Sequence, residues 1–174
     1  MTSNARGHSR RILGSLQSAD GKGIVRIEDR IDTVIDDLWS ALTDPARLAR
    51  WLGDVDGDLR VGGEFRARFS SSGWEGTGRV EACEAPHRFV VISRDPNEPG
   101  EEYLEVTLTA DGEQTLLVID QRQLPLEYLA GYAAGMQIHV EDLAAHIAGR
   151  GRSDSSRRFE QLIPEYRNLV AELK

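Results

Sequence analysis

The chain has 174 residues, 40% hydrophobic and 29% charged, with a formal net charge of −8 and a sequence pI near 5.0. That composition suits one globular domain around a single core, and the acidic balance argues against nucleic acid, whose phosphates need a basic footprint. No apolar run approaches the roughly 20 residues that a bilayer demands, and Cys83 is the only cysteine, so no internal disulfide can form and a reducing, cytoplasmic setting is expected.

Residues 1–10 are small, polar and basic, the composition of a disordered tail. Residues 1–22 carry a net +3 (Arg6, Arg10, Arg11 and Lys22 against Asp20), leaving −11 for the rest. Residues 12–17 and 24–31 favour extended structure, and Ala19-Asp20-Gly21-Lys22-Gly23 is turn chemistry, so a hairpin is expected. Asp32 or Thr33 is positioned to cap a helix running to about Ala41, with Asp36 and Asp37 in its first turn. Asp44 and Pro45 then start a second, shorter helix that ends near Trp51-Leu52-Gly53.

Residues 54–63 read as a polar loop. Residues 64–69 alternate strictly, Phe65, Ala67 and Phe69 against Glu64, Arg66 and Arg68, the pattern of a half-buried strand. A second strand is expected over residues 74–83, where Gly76 and Gly78 mark a bulge or a close approach. Residues 88–93 are apolar on both faces, as in a central strand, and residues 103–109 and 115–121 complete an antiparallel meander. Both faces of this last segment are apolar, so the chain's own tail or a second subunit is expected to cover the outer side of Leu116 and Val118.

Residues 126–148 carry Leu129, Ala133, Met136, Val140, Leu143 and Ile147 at spacings of four and three, one apolar stripe on a helix. Gly149 follows where a helix end favours a residue without Cβ. Glu127, Glu141, Asp142 and His146 lie off the seam. After a polar linker, Phe159, Leu162, Tyr166, Leu169 and Leu173 repeat the spacing, giving a terminal amphipathic helix interrupted at Pro164. The expected organisation is a tail (1–10), one α+β domain (11–149) and a linker with a terminal helix packed on it (150–174).

Three phrases resemble a known family. Asp37-Leu38-Trp39-Ser40-Ala41-Leu42-Thr43-Asp44-Pro45-Ala46-Arg47-Leu48-Ala49-Arg50-Trp51-Leu52 resembles the opening signature of the activator of heat shock protein 90 ATPase homologue-like family. Leu59-Arg60-Val61-Gly62-Gly63-Glu64-Phe65-Arg66 resembles its next phrase. Gly135-Met136-Gln137-Ile138-His139-Val140-Glu141-Asp142-Leu143 resembles its helix motif, Gly-Trp-x-x-His-Leu-x-x-Leu, with Met136 in place of the Trp. The likeness covers about residues 24–149; the basic hairpin and the terminal helix lie outside it. It implies the START/SRPBCC superfamily and a helix-grip fold like the birch-pollen allergen's: a curved antiparallel sheet wrapped around the long C-terminal helix, with an apolar pocket between them.

If the helix stripe faces the sheet, Phe65, Phe69, Val106, Leu117 and Ile119 point inward, met by Tyr132, Met136 and His139. Small residues at 130–131 and 133–135 either let sheet and helix close up or leave space for a ligand, and the resemblance favours space. Burying about 300 Å² of apolar surface is worth roughly 7 kcal/mol, against an association cost of about 4 kcal/mol or more. Selectivity therefore needs polar hooks, for which Tyr103, Tyr132, Gln121 and His139 are the candidates. Trp39 is expected in the core, Trp51 at the mouth, and Trp74 along the wall. His139, Asp142 and His146 share a helix edge; a solvated edge with an Asp142–His146 pair is preferred over a metal site. Asp54, Asp56 and Asp58 open like a calcium loop, but Leu59 and Phe65 occupy the positions that require Gly and Glu. Cys83 has no base partner, and no phosphate-loop or dinucleotide motif calls for a cofactor.

The expected function is binding of a small hydrophobic or lipid-like molecule, without catalysis, as monomer or homodimer. The family name offers two things besides: regulation of a heat shock protein 90 type ATPase, and a place in the stress response. A third reading is a cyclase or hydrolase acting on a pocket-bound apolar substrate, which would need His139 paired with a carboxylate.

Overall fold

The computed structural model describes residues 11–173, so the expectation for the basic tail lies outside the described residues. A two-residue turn joins β1 (Gly14–Ala19) to β2 (Lys22–Ile31). Asp20 and Gly21 both take positive φ, 53° and 76°, the conformation that fits a tight hairpin to the right-handed twist of its strands. Helices α1 (Ile35–Thr43) and α2 (Pro45–Trp51) follow. The Asp44 carboxylate accepts a bond from Ala46 N–H and Pro45 holds the first helical position, as the sequence requires. Helix α1 differs from expectation. Val34 is its N-cap, without a side-chain cap, and the Thr33 hydroxyl instead donates to the Asp37 carboxylate at 2.7 Å.

Where a loop was expected, the chain forms β3 (Gly53–Gly57). It has no apolar alternation; main-chain pairing with β4 (Glu64–Phe69) makes it, and Asp54 and Asp56 stand opposite Arg68 and Arg66. Opposite charges facing one another across strands favour that register. The meander continues through β5 (Glu75–Glu84), β6 (Arg88–Arg94), β7 (Glu102–Asp111) and β8 (Gln114–Leu124). Among the described residues, eight antiparallel strands form one curved sheet in the order β1-β2-β8-β7-β6-β5-β4-β3. The irregularity in β5 lies between Val80 and Ala82 rather than at its glycines.

A 3-10 turn (Leu126–Tyr128) leads into α3 (Leu129–Ile147). Gly149 takes φ 74°, its N–H bonding to His146 C=O and that of Arg150 to Ala145 C=O. These two bonds satisfy carbonyls that a helix end leaves open. Leu129, Ala133, Val140 and Leu143 are buried as the stripe predicts, but so are Ala134, Gln137, Ile138 and Asp142. The helix is covered on a second side by α4 (Ser155–Ala171), which lies against α3 and reaches β1.

Three expectations change here. Helix α4 runs unbroken through Pro164; Glu160, whose carbonyl loses its helical donor, and Pro164 are both exposed, so water can take that bond. Phe159, assigned to the buried stripe, is 38% exposed, whereas Leu162 and Tyr166 are fully buried. The outer side of β8 is left uncovered by α4: Leu116 and Val118 remain half-buried there, beside Arg30 and Glu28 of β2 and Thr109 and Thr107 of β7.

A network around Gln137 ties the pieces together. Its side-chain oxygen accepts from Leu13 N–H at 3.1 Å and from the Tyr166 hydroxyl at 2.5 Å, and its nitrogen donates to Arg11 C=O at 2.7 Å. Tyr166 in turn accepts from Gly14 N–H at 3.0 Å. A fully buried amide is tolerated only when its hydrogen-bonding groups are met, and these bonds meet them.

Candidate functional site

The concave face of the sheet is closed at one end and half-open at the other. At the closed end Val25, Ile27 and Leu117 pack with Leu129 and Ala133, all fully buried. Val106 and Ile119 join them at 2% and 6% exposure. Val106, Leu117 and Ile119 thus have the expected parity and belong to the core. Trp51 is core too. It is 5% exposed, and its indole N–H donates to Ala41 C=O at 2.9 Å, so it is no mouth residue. Trp39 is half-buried, edge-on to Phe89 at 5.7 Å.

At the other end the sheet touches α3 through Phe69 with His139 and Glu102 with Tyr132. Phe65, Phe69, Trp74, Leu104, Tyr132 and Met136 are all half-buried. Phe65 lies over Gly78, where a Cβ would stand 2.5 Å from its Cζ, and the Trp74 ring covers Gly76. The two strand glycines are therefore seats for aromatic rings, the close approach that the sequence offered as one of two explanations. Phe69 stacks at 4.9 Å on Trp74 and meets His139 edge-on at 5.0 Å. On the helix, a Cβ at Gly131 or Gly135 would meet nothing within 4 Å.

Tyr132, Met136 and His139 follow one another by four and three along α3, and chemistry differs at the two ends of that row. At one end, His139 is 8% exposed, and its Nδ1 lies 3.3 Å from Ser71 Oγ. Burial without a carboxylate partner pushes its pKa down to about 4, so the ring is neutral. At the other end is Glu102, the first residue of β7 and 8% exposed. Its carboxylate accepts from the Tyr132 hydroxyl at 2.6 Å and from Gln121 Nε2 at 3.3 Å. Burial outweighs these bonds and raises the Glu102 pKa, with Asp95 and Glu98 adding to the rise. Burial also raises the Tyr132 hydroxyl, and the bond to Glu102 adds to it. Gln121 Oε1 is buried and has no partner.

Tyr103 does not join this group. It alternates with Leu104 and Val106, so it stands on the convex face, under the Arg122 guanidinium at 5.3 Å. The residue that belongs inside is its neighbour Glu102, and the sequence held the signal. Extending the Leu108, Val106, Leu104 alternation back by two places reaches it.

The helix edge His139, Asp142, His146 is not a solvated edge. Asp142 is 1% exposed and accepts from Ser153 N–H at 3.2 Å, and His146 Nε2 takes the Arg47 Nε–H at 3.3 Å. The three side chains thus go to three different partners. A polar cleft of about 420 Å³ opens beside Asp142, lined by Ser70, Ser71, Arg152 and Ser153 among others. Among the described residues no group of three His, Cys, Asp or Glu is arranged to hold a metal, and no helix is long and apolar enough to cross a membrane.

A curved antiparallel sheet gripping a long C-terminal helix defines a helix-grip protein of the SRPBCC class. Residues 32–148 match the family described as Activator of Hsp90 ATPase homolog 1-like protein, and the chain belongs to that family. Among solved structures it is similar to CalU16 from Micromonospora echinospora, with 24% identity and a TM-score of 0.76 over 93% of this chain and 98% of that one. It is similar to DynU16, from the dynemicin biosynthetic locus, with 27% identity and a TM-score of 0.69 over 78% of this chain and 51% of that one. An Hsp90 activator from Plasmodium falciparum matches with 24% identity and a TM-score of 0.51 over 59% of this chain and 74% of that one. No curated protein matches.

Proposed function

We propose that this chain is a cytoplasmic protein that binds a small apolar or amphipathic molecule in the trough between β4–β7 and the first half of α3. The observation that carries this reading is the company Glu102 keeps. A buried carboxylate and an unpartnered amide oxygen sit at the end of a row of half-buried aromatic and aliphatic side chains. A structure that merely packs tends to satisfy or exclude such groups, whereas a binding site keeps a few polar atoms at the end of an apolar wall. Phe65, Phe69, Trp74, Tyr132 and Met136 form the wall, and His139 backs Phe69.

The test uses the neutral dye N-phenyl-1-naphthylamine and two variants. Saturable fluorescence enhancement is expected for the native chain. Met136→Trp should fill the trough and weaken binding about tenfold or more, and Phe69→Ser should remove part of the wall. Unchanged titrations in both variants, with their melting temperatures retained, would remove the trough from consideration.

The family description and the Plasmodium falciparum structure support a second reading, regulation of an Hsp90-type ATPase. Its measurement is the hydrolysis rate of purified Hsp90 with and without this chain. The catalytic alternative asked for His139 beside a carboxylate; its Nδ1 faces Ser71 instead, and Glu102 lies at the other end of the row.

A further inference from the structure

The trough's polar end has an unusual hydrogen-bond balance. The Tyr132 O–H points at Glu102 Oε1, and the Gln121 Nε2 faces Glu102 Oε2. Both neighbours therefore spend donors on the carboxylate. What remains, apart from the second N–H of the Gln121 amide, is acceptor capacity: lone pairs on Glu102, the lone pairs of the Tyr132 oxygen and, above all, Gln121 Oε1, which is buried without a partner. An ionised carboxylate can only accept.

The charge balance points the same way. The other charges acting on Glu102 are Asp95 and Glu98, both negative, from the loop between β6 and β7. Of the nearby cations, Arg79 pairs with Glu81 and Glu101, Arg122 lies over Tyr103 on the convex side, and Arg94 acts on Glu101. A carboxylate or phosphate brought here would meet mostly acceptors, with only the second N–H of the Gln121 amide as a donor, in an acidic surrounding. An ammonium group brings three donors and a positive charge; a hydroxyl brings one donor and no charge.

Resting on the trough reading above, we propose that Glu102, Gln121 and Tyr132 form a recognition site for a ligand that ends in a hydrogen-bond donor, a primary ammonium before a hydroxyl, and that the site discriminates against carboxylates. The apolar part of the ligand lies along Met136 and the Phe65–Phe69 wall, and the donor end satisfies Gln121 Oε1 together with Glu102. The discrimination is built from both sides. A matched donor gains two acceptors, and an anion meets like charge and unmatched lone pairs.

Three probes of equal chain length separate this proposal from the trough reading: octylamine, 1-octanol and octanoate, titrated near neutral pH by calorimetry. Octylamine is expected to bind tightest, with octanoate weaker by about tenfold or more. Glu102→Gln should bring amine and acid to within about threefold of each other while leaving octanol little changed. Gln121→Leu should weaken amine and alcohol together. Octanoate binding as tightly as octylamine to the native chain would overturn the donor site and leave the trough standing. Failure of all three probes and of the naphthylamine dye would overturn both. Glu102→Gln keeps one oxygen to accept from Tyr132 and turns the other position into an NH2 donor, which the Gln121 amide meets by presenting its oxygen; its melting temperature reports that the fold is intact.

Discussion

Glu102 and His139 are buried ionisable groups whose pKa values move in opposite directions, and the two make opposite predictions about stability. The Glu102 carboxyl is raised by burial. Above the ordinary carboxylate range the unfolded chain then holds less proton than the folded one, so stability falls as pH climbs through the raised value and stays lower beyond it. Glu102→Gln removes that loss. Chemical denaturation at neutral pH should find the variant as stable as the native chain or more so, by about 1 kcal/mol. A clear destabilisation would mean that the carboxylate is held by stronger bonds than those of Tyr132 and Gln121. The His139 imidazole is lowered to about 4. Between the ordinary histidine value and about 4 the unfolded chain binds the extra proton, so stability is lost as pH falls through that window, by on the order of 3 kcal/mol. Unfolding free energies of the native chain and His139→Gln should therefore converge as pH drops from neutral toward 4. Parallel curves would place His139 in contact with water.

At the scale of elements, the order of strands and helices was legible from periodicity because most segments have one buried face and one wet one. Helix α2 was readable from Asp44 and Pro45, and the end of α3 from Gly149, because caps are local chemistry. Strand β3 was not legible, since its apolar content is a single Val55 and it exists through pairing with β4. The continuity of α4 was hidden by Pro164, whose cost depends on whether Glu160 faces water. Trp51 and Tyr103 were misplaced for different reasons. Trp51 ends a helix whose tilt decides its burial, and Tyr103 is out of phase with an alternation that the sequence displayed. Tyr166→Phe tests the joint between elements. It strips the acceptor from Gly14 N–H and a donor from Gln137, and should cost about 1–2 kcal/mol in a denaturant titration. Phe159→Ser, on the same helix but 38% exposed, should change stability by no more than about 0.5 kcal/mol. Equal effects from the two would contradict the way α4 is docked.

At the scale of the molecule, α3 has two different neighbours. One side faces the sheet; on another α4 seals Gln137 and holds Glu141 through Arg158, with both nitrogen–oxygen distances at 2.8 Å. The family match covers residues 32–148, and α4 lies beyond it. A chain ending at Gly149 should melt about 10 °C or more below the native chain, because α3 would lose the cover of Leu162 and Tyr166. An unchanged melting temperature would show α4 to be an ornament.

The Gln137 network has a consequence for the order in which the chain can mature. Its bonds to Arg11 and Tyr166, and that of Tyr166 to Gly14, bridge separations of 126, 29 and 152 residues. On a ribosome Leu13 and Gly14 emerge with amides whose partners, Gln137 on α3 and Tyr166 on α4, have yet to be made. Locking of β1 is thus deferred until α4 has left the exit tunnel.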